Sequence, residues 1–382
     1  MPAAPHRLAA LLGVFAAAPA LAQHPGAEPV EEVIVSAPYA RAQAEMLQAT
    51  SVLSGEGLDR ALAATLGETL AHLPGVSSSY FGPGASRPII RGLGGERVRV
   101  LIDGIGAIDA SNTSPDHAVA GEPVTAERIE VVRGPASLLY GSSAAGGVVN
   151  VIDGRIPAAM PEKGAAGTLF GRYASNDDEA ATAASLTLGA GAHVAVHADG
   201  FYRDTGDIRV PGVRGPLANT DTETYGGAAG VSYVFERGFF GVSAANFQSD
   251  YGVPTAEGQE EAAAVDAAAG GVRIDLDQIR VDVKGRLGLD GFFKEAKLRF
   301  GYGDYEHREL EGGVTGTRFL NEGWEGRLEL VQRGTRGHRG AVGMQVRRRD
   351  FEAIGAEAFV PPNATTQLGL FTVQEVDLGP AR

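Results

Sequence analysis

Two adjacent residues with metal-binding side chains, Asp116 and His117, lie in a polar, turn-prone stretch that covers residues 109–118. A carboxylate oxygen beside an imidazole nitrogen suits zinc or a similar divalent ion. Zinc takes about three or four ligands, so further donors are needed. The candidates near predicted loops are His307, Glu309 and Glu357. The alternative is that Asp116 and His117 only form hydrogen bonds that cap a loop.

The composition and the motifs exclude several other kinds of chemistry. The chain has no cysteine, which excludes disulfides and thiolate metal sites. Its formal net charge of −14 argues against a nucleic-acid partner, which would need a basic surface. Ser142 and Ser143 lie in a Gly/Ala-rich segment without the pattern of a nucleophile elbow. We therefore predict that the chain is not an enzyme and requires no cofactor.

The N-terminus has the pattern of a secretory signal peptide over residues 1–22. His6 and Arg7 precede an apolar stretch, and Ala20-Leu21-Ala22 forms an A-x-A cleavage site. The apolar stretch is shorter than the about 20 residues of a spanning helix, so we predict export and cleavage. Residues 23–49 are predicted to be a flexible segment that contains a short β-branched stretch at residues 32–37.

A small mixed α/β domain is predicted over residues 50–157. Leucines at positions 58, 62, 66 and 70 recur every four residues and predict one helix with a single apolar face. Short β-branched stretches between Gly-rich turns predict strands at residues 88–91, 98–103, 129–133 and 148–152.

Residues 165–382 show a strand pattern instead. From Ile279 to Leu289, for example, apolar residues alternate with Arg280, Asp282 and Lys284. Strands of about ten residues with one apolar and one polar face are typical of an antiparallel transmembrane β-barrel with a wet interior; a soluble β-sandwich is the alternative. About ten such strands can be counted. The longer polar stretches at residues 203–222, 249–271 and 305–322 are predicted to be extracellular loops.

The stretch AERIEVVRGPASLLYGSSAAGGVVNVID at residues 126–153 carries a family resemblance. Its Arg-Gly-Pro, followed by Tyr140-Gly141 and by the segment from Gly146 to Ile152, resembles the plug domain of TonB-dependent outer-membrane receptors. The resemblance implies an α+β plug followed by a transmembrane β-barrel in the outer membrane, in contact with lipid and lipopolysaccharide. Plugged barrels of this class have about 22 strands. The chain is therefore expected to be a fragment of a longer receptor or the product of a truncated gene.

The same resemblance implies a coupling peptide near the N-terminus. It would be the TonB box, formed by Glu32, Val33, Ile34, Val35, Ser36 and Ala37. An extended peptide of this kind can add as a strand to the sheet edge of a partner, here TonB with the inner-membrane ExbB/ExbD energy complex. The alternative is that these residues form an ordinary first strand of the plug.

The loop sequence SNTSPDHA at residues 111–118 is similar to the ZnuD-like branch of this family, which is associated with zinc uptake. The similarity implies energy-coupled import of zinc or another divalent metal, with Asp116 and His117 in the metal site. Import of a siderophore, haem or cobalamin is the alternative within the family. The alternatives of another class are a passive porin and a truncated remnant that transports nothing.

Overall fold

A computed structural model describes residues 33–34, 41–42, 48–134, 137–141, 143–212, 215–254, 271–334, 337–356 and 358–376. The predicted signal peptide, most of the predicted TonB box and Glu357 lie outside these residues. Two residues of the box form a short strand, β1 (Val33–Ile34), which pairs antiparallel with β2 (Arg41–Ala42). The assignment of this segment as a TonB box stays a prediction.

A five-stranded mixed sheet forms the centre of the N-terminal domain. Its spatial order is β3-β8-β9-β6-β7, and only β6 and β9 run parallel. The strands are β3 (Thr50–Ser54), β6 (Val98–Ile102), β7 (Ile105–Gly106), β8 (Arg128–Arg133) and β9 (Gly147–Ile152). A separate pair, β4 (Val76–Ser78) and β5 (Pro88–Ile90), lies beside it. The strands predicted for this domain are all present, with ends that differ by a residue.

The predicted single helix is wrong, because the leucines lie on two short helices. Helix α1 (Gly55–Ala61) ends at Leu62, whose ψ of 128° is not helical. Helix α2 (Leu66–Leu70) begins after Thr65, whose hydroxyl caps it by accepting from the amide of Glu68 at 3.4 Å. All four leucines nevertheless pack in one core with strands of this N-terminal domain, which is called the plug below. The leucine spacing therefore predicted the buried face correctly but not the break between the two helices at residues 62–65. A third short helix, α3 (Ser137–Tyr140), follows β8.

Ten antiparallel strands, each bonded to the next in sequence, form the second part of the chain. This barrel sheet comprises β10 (Ala165–Ala174), β11 (Glu179–Ala190), β12 (Val194–Thr205), β13 (Thr222–Phe235), β14 (Gly238–Gly252), β15 (Arg273–Gly288), β16 (Phe293–Glu311), β17 (Val314–Gln332), β18 (His338–Gly355) and β19 (Asn363–Val376). The predicted α+β domain followed by an antiparallel barrel sheet is confirmed.

One predicted loop is wrong in a way that matters for the site. Residues 305–322 belong to the long strands β16 and β17, which a tight turn at Gly312–Gly313 connects. Both glycines have left-handed φ angles, +56° and +79°, that side chains with a Cβ rarely adopt. The polar composition of this stretch reflects strand faces that are charged on both sides. The described parts of the chain contain no helix long and apolar enough to cross a membrane.

The plug packs against one face of the barrel sheet through polar contacts. Gln278 on β15 donates to the carbonyls of Ala107 and Ile108 at 3.1 and 2.9 Å. Asn321 on β17 donates to the carbonyl of Asp109 at 2.8 Å. These side chains bind the plug segment that leads into residues 109–118, so the barrel wall fixes where that segment lies.

A partly buried carboxyl group, Asp103, and a buried one, Asp153, meet where the plug strands β6 and β9 end. Asp103 accepts from Lys284 of β15 at 2.7 Å, and Asp153 lies beside Arg155, which binds Asp199 of β12 at 2.9 Å. Burial and the neighbouring charge of Asp103 raise the pKa of Asp153 to about 7 from 3.8. Burial alone would also raise the pKa of Asp103, but Lys284 outweighs it and keeps that pKa below its usual value.

The raised pKa of Asp153 predicts that the free energy of unfolding depends on pH. The folded protein binds the Asp153 proton more tightly than the unfolded chain does, so stability is lost as the pH rises from about 4 to about 7. The Asp103 contribution has the opposite sign and lies below that window. We expect Asp153→Asn to flatten the pH dependence of the urea unfolding midpoint across the window. An unchanged slope in Asp153→Asn would assign the pH dependence to other groups.

Candidate metal-binding site

Three metal-binding side chains converge between the plug and the barrel wall. His117, His307 and Glu309 each offer one ligand atom, and these atoms lie within 4.8 Å of one another. Nε2 of His117 is 3.1 Å from Oε1 of Glu309, and Nε2 of His307 is 3.7 Å from the same oxygen. All three side chains are buried. Two imidazole nitrogens and one carboxylate oxygen match the donor set of a zinc site with an open fourth position.

Different parts of the chain supply the members of this trio. His117 lies in the plug segment between β7 and β8, whereas His307 and Glu309 are two residues apart on β16 and share its plug-facing side. The sequence separation between His117 and Glu309 is 192 residues. The trio therefore exists only while the plug sits against the barrel sheet.

Hydrogen bonds at Nδ1, the ring nitrogen that does not face the trio, orient both imidazole rings. Nδ1 of His117 lies 2.8 Å from the hydroxyl of Thr113 and 3.1 Å from the carbonyl of Ala110. Thr113 already donates to that carbonyl at 2.6 Å, so both oxygens are available as acceptors for an Nδ1–H of His117. This tautomer leaves the lone pair of Nε2 directed at the trio. Nδ1 of His307 lies 2.7 Å from the hydroxyl of Tyr305, which can orient the second ring in the same way.

The trio has too few hydrogen-bond donors or positive charges to satisfy all three of its ligand atoms. Within the described residues, Nε2 of His307 is buried and has no hydrogen-bond partner. An N–H at Nε2 of His117 would satisfy Glu309 but would leave Nε2 of His307 unpaired. A bound divalent cation would satisfy all three ligand atoms at once, which removes the cost of burying unpaired polar groups.

Aromatic side chains surround the trio. The ring of Phe319 stacks on His307 with centroids 4.6 Å apart and meets His117 edge-on at 4.9 Å. Tyr251, Tyr305 and Phe351 belong to the same buried cluster. This apolar surround excludes water, and low polarity strengthens the attraction between a cation and its ligands.

The other predicted metal ligands have different positions. The carboxylate of Asp116 accepts from the hydroxyl of Ser114, and Asp116 is not part of the trio. Glu357 lies outside the described residues. Tyr305 and Thr113 were not predicted. The alternation of Tyr305, His307 and Glu309 could have identified one strand face, but assigning residues 305–322 to a loop concealed it.

The plug and the barrel sheet are similar to parts of known receptors. Residues 42–148 match the TonB-dependent receptor plug domain. The matched domain is a component of receptors that transport their ligands. The match therefore agrees with the prediction that the chain is not an enzyme.

Solved receptors share the architecture of plug and barrel strands. The siderophore receptor PirA from Pseudomonas aeruginosa matches with a TM-score of 0.62 and 20% identity over 87% of this chain and 53% of its own. The copper transporter OprC matches with a TM-score of 0.70 and 15% identity, over 86% and 52%. The Serratia marcescens hemophore receptor HasR, solved with its hemophore HasA and heme, matches with a TM-score of 0.72 and 17% identity, over 87% and 50%. The chain thus spans about half the length of these receptors, and identities this low show the fold alone.

Proposed function

We propose that this chain is the plug and part of the barrel of a TonB-dependent outer-membrane receptor that imports a divalent metal ion, with zinc as the first candidate. The observation that carries the proposal is the buried trio of His117, His307 and Glu309. Two imidazoles with one carboxylate are a common zinc donor set, and three protein ligands leave one position for water or for an exchanging ligand.

The size and burial of the trio favour a bare ion over a chelate. The ligand atoms lie within 4.8 Å of one another and their side chains are buried, so a whole siderophore or haem cannot reach them. Copper is the second candidate, because imidazole also suits copper and the similar OprC is a copper transporter.

The position of the trio suggests how cargo would be released. One ligand belongs to the plug and two belong to the barrel strand β16, so a displacement of the plug separates His117 from His307 and Glu309. Loss of one ligand weakens binding. In this proposal TonB, driven by ExbB/ExbD, pulls on Glu32–Ala37 and thereby lowers the affinity of the site.

The outer face of the barrel sheet supports a location in the outer membrane. Many side chains on the face away from the plug are aliphatic or aromatic and exposed, as expected for contact with lipid. They include Tyr202, Tyr225, Val242, Leu328, Met344 and Leu370. A signal peptide at residues 1–22 and contact with lipopolysaccharide at the outer leaflet complete this proposal.

Zinc uptake by cells that lack other zinc importers tests the proposal. We expect deletion of residues 32–37 to reduce radiozinc uptake to the background level, because coupling to TonB is lost. Zinc binding by the purified protein should stay unchanged, because the trio lies elsewhere. Deletion of the neighbouring residues 23–28 is the matched control. Uptake that survives deletion of residues 32–37 would contradict energy coupling and favour a passive porin, and uptake of none of the metals tested would favour a remnant.

A further inference from the structure

One barrel side chain holds the backbone on both sides of His117. The hydroxyl of Tyr251, on β14, accepts from the amide of Ala118 at 2.9 Å. The same hydroxyl donates to the carbonyl of Asp116, also at 2.9 Å. Tyr251 thus bridges the two residues that flank the plug histidine, although it lies more than 130 positions away in sequence.

Packing fixes the position of this hydroxyl. Tyr251 is fully buried in the aromatic cluster around the trio. A Cβ on Gly84 would overlap its ring, so the absence of a side chain at Gly84 is what lets the tyrosine approach the plug. The ring therefore has little room to move, and the distance between the hydroxyl and the plug backbone is set by the fold.

We propose that Tyr251 is a positioning residue for the metal site, which it serves by fixing the backbone that carries His117. This inference rests on the proposed function. Metal ligands must be held within about 0.5 Å of the productive geometry. Removal of the hydroxyl leaves a buried N–H and a buried C=O without their partner, and the loop must rearrange to satisfy them. The imidazole of His117 then shifts relative to His307 and Glu309.

The test compares Tyr251→Phe with Tyr225→Phe in the purified protein. Tyr251→Phe retains the ring and removes only the hydroxyl, and we expect the zinc Kd to rise by about 10-fold, a usual effect of losing an outer hydrogen bond at a metal site. Tyr225 lies on the outer face of the adjacent strand β13 and is exposed, so Tyr225→Phe should leave the Kd unchanged. Heat-modifiable gel mobility verifies that both variants are folded.

A double-mutant cycle separates positioning from general stability. If Tyr251 acts through His117, Tyr251→Phe has no further effect on affinity once His117→Ala is present. Cu²⁺, which such donors hold more tightly than zinc, serves as the probe in this background. The visible spectrum of the Co²⁺-loaded protein gives a second readout, and Tyr251→Phe should change it while Tyr225→Phe should not.

The outcomes are distinguishable. Wild-type protein that binds none of these ions overturns the proposed function itself. Wild-type protein that binds zinc, with Kd and Co²⁺ spectrum unchanged in Tyr251→Phe, overturns the positioning role alone. An equal loss of affinity with and without His117 assigns Tyr251 to general stability and also overturns it.

Discussion

Replacing His307 with alanine is expected to raise the zinc Kd by at least about 100-fold, more than the loss of an outer hydrogen bond at a metal site. The substitution removes one of the three ligands and leaves Glu309 buried beside a single imidazole. His117→Ala should have a similar effect, because each histidine supplies one nitrogen to the same site. Competition with a chelating dye on the purified protein measures the change.

Two controls make this prediction specific. Asp116→Asn is expected to have a much smaller effect, since the carboxylate of Asp116 bonds to Ser114 and lies outside the trio. His193→Ala removes an exposed histidine in the turn between β11 and β12 and should leave the zinc Kd unchanged. If Asp116→Asn abolishes binding and His307→Ala does not, the ligands come from another arrangement of the loop.

The second large effect is expected at the junction between plug and barrel. Arg99 of the plug pairs with Glu325 of β17, and both side chains are buried. Arg99 also donates to the carbonyl of Tyr140, and Glu325 accepts from Gln345 at 2.8 Å. Arg99→Ala leaves the charge of Glu325 buried without its cation. We expect the free energy of unfolding to fall by about 3–5 kcal/mol, as for other broken buried pairs, in urea titrations of the protein in detergent micelles.

An exposed ion pair on the same sheet provides the comparison. Arg348 and Asp350 pair at 3.0 Å on the outer face of β18, where both side chains are about half exposed. Arg348→Ala should lower the free energy of unfolding far less than Arg99→Ala does, because water screens an exposed pair. If Arg99→Ala and Arg348→Ala lower the free energy of unfolding equally, the buried pair between plug and barrel contributes no more to stability than an exposed pair does.

The sequence by itself determined the architecture of this chain. The leucines of the first two helices, the β-branched stretches of the plug and the alternation of the barrel strands each repeat over several residues, and local repetition of that kind reflects which face is buried. The candidate ligands His117, His307 and Glu309 could also be selected from the sequence. They were selected by residue type, because few side chains can bind zinc.

Only the tertiary structure decided which of these residues meet. The two-residue turn at Gly312–Gly313 extends β16 and aligns His307 with Glu309 on the side that faces the plug. Contacts from Gln278, Asn321 and Tyr251 then set the plug segment against that strand. Asp116, adjacent to His117 in sequence, bonds to Ser114 instead. Adjacency along a loop does not fix the direction of a side chain, whereas packing between distant segments does, because it leaves one arrangement in which the buried polar groups can be satisfied.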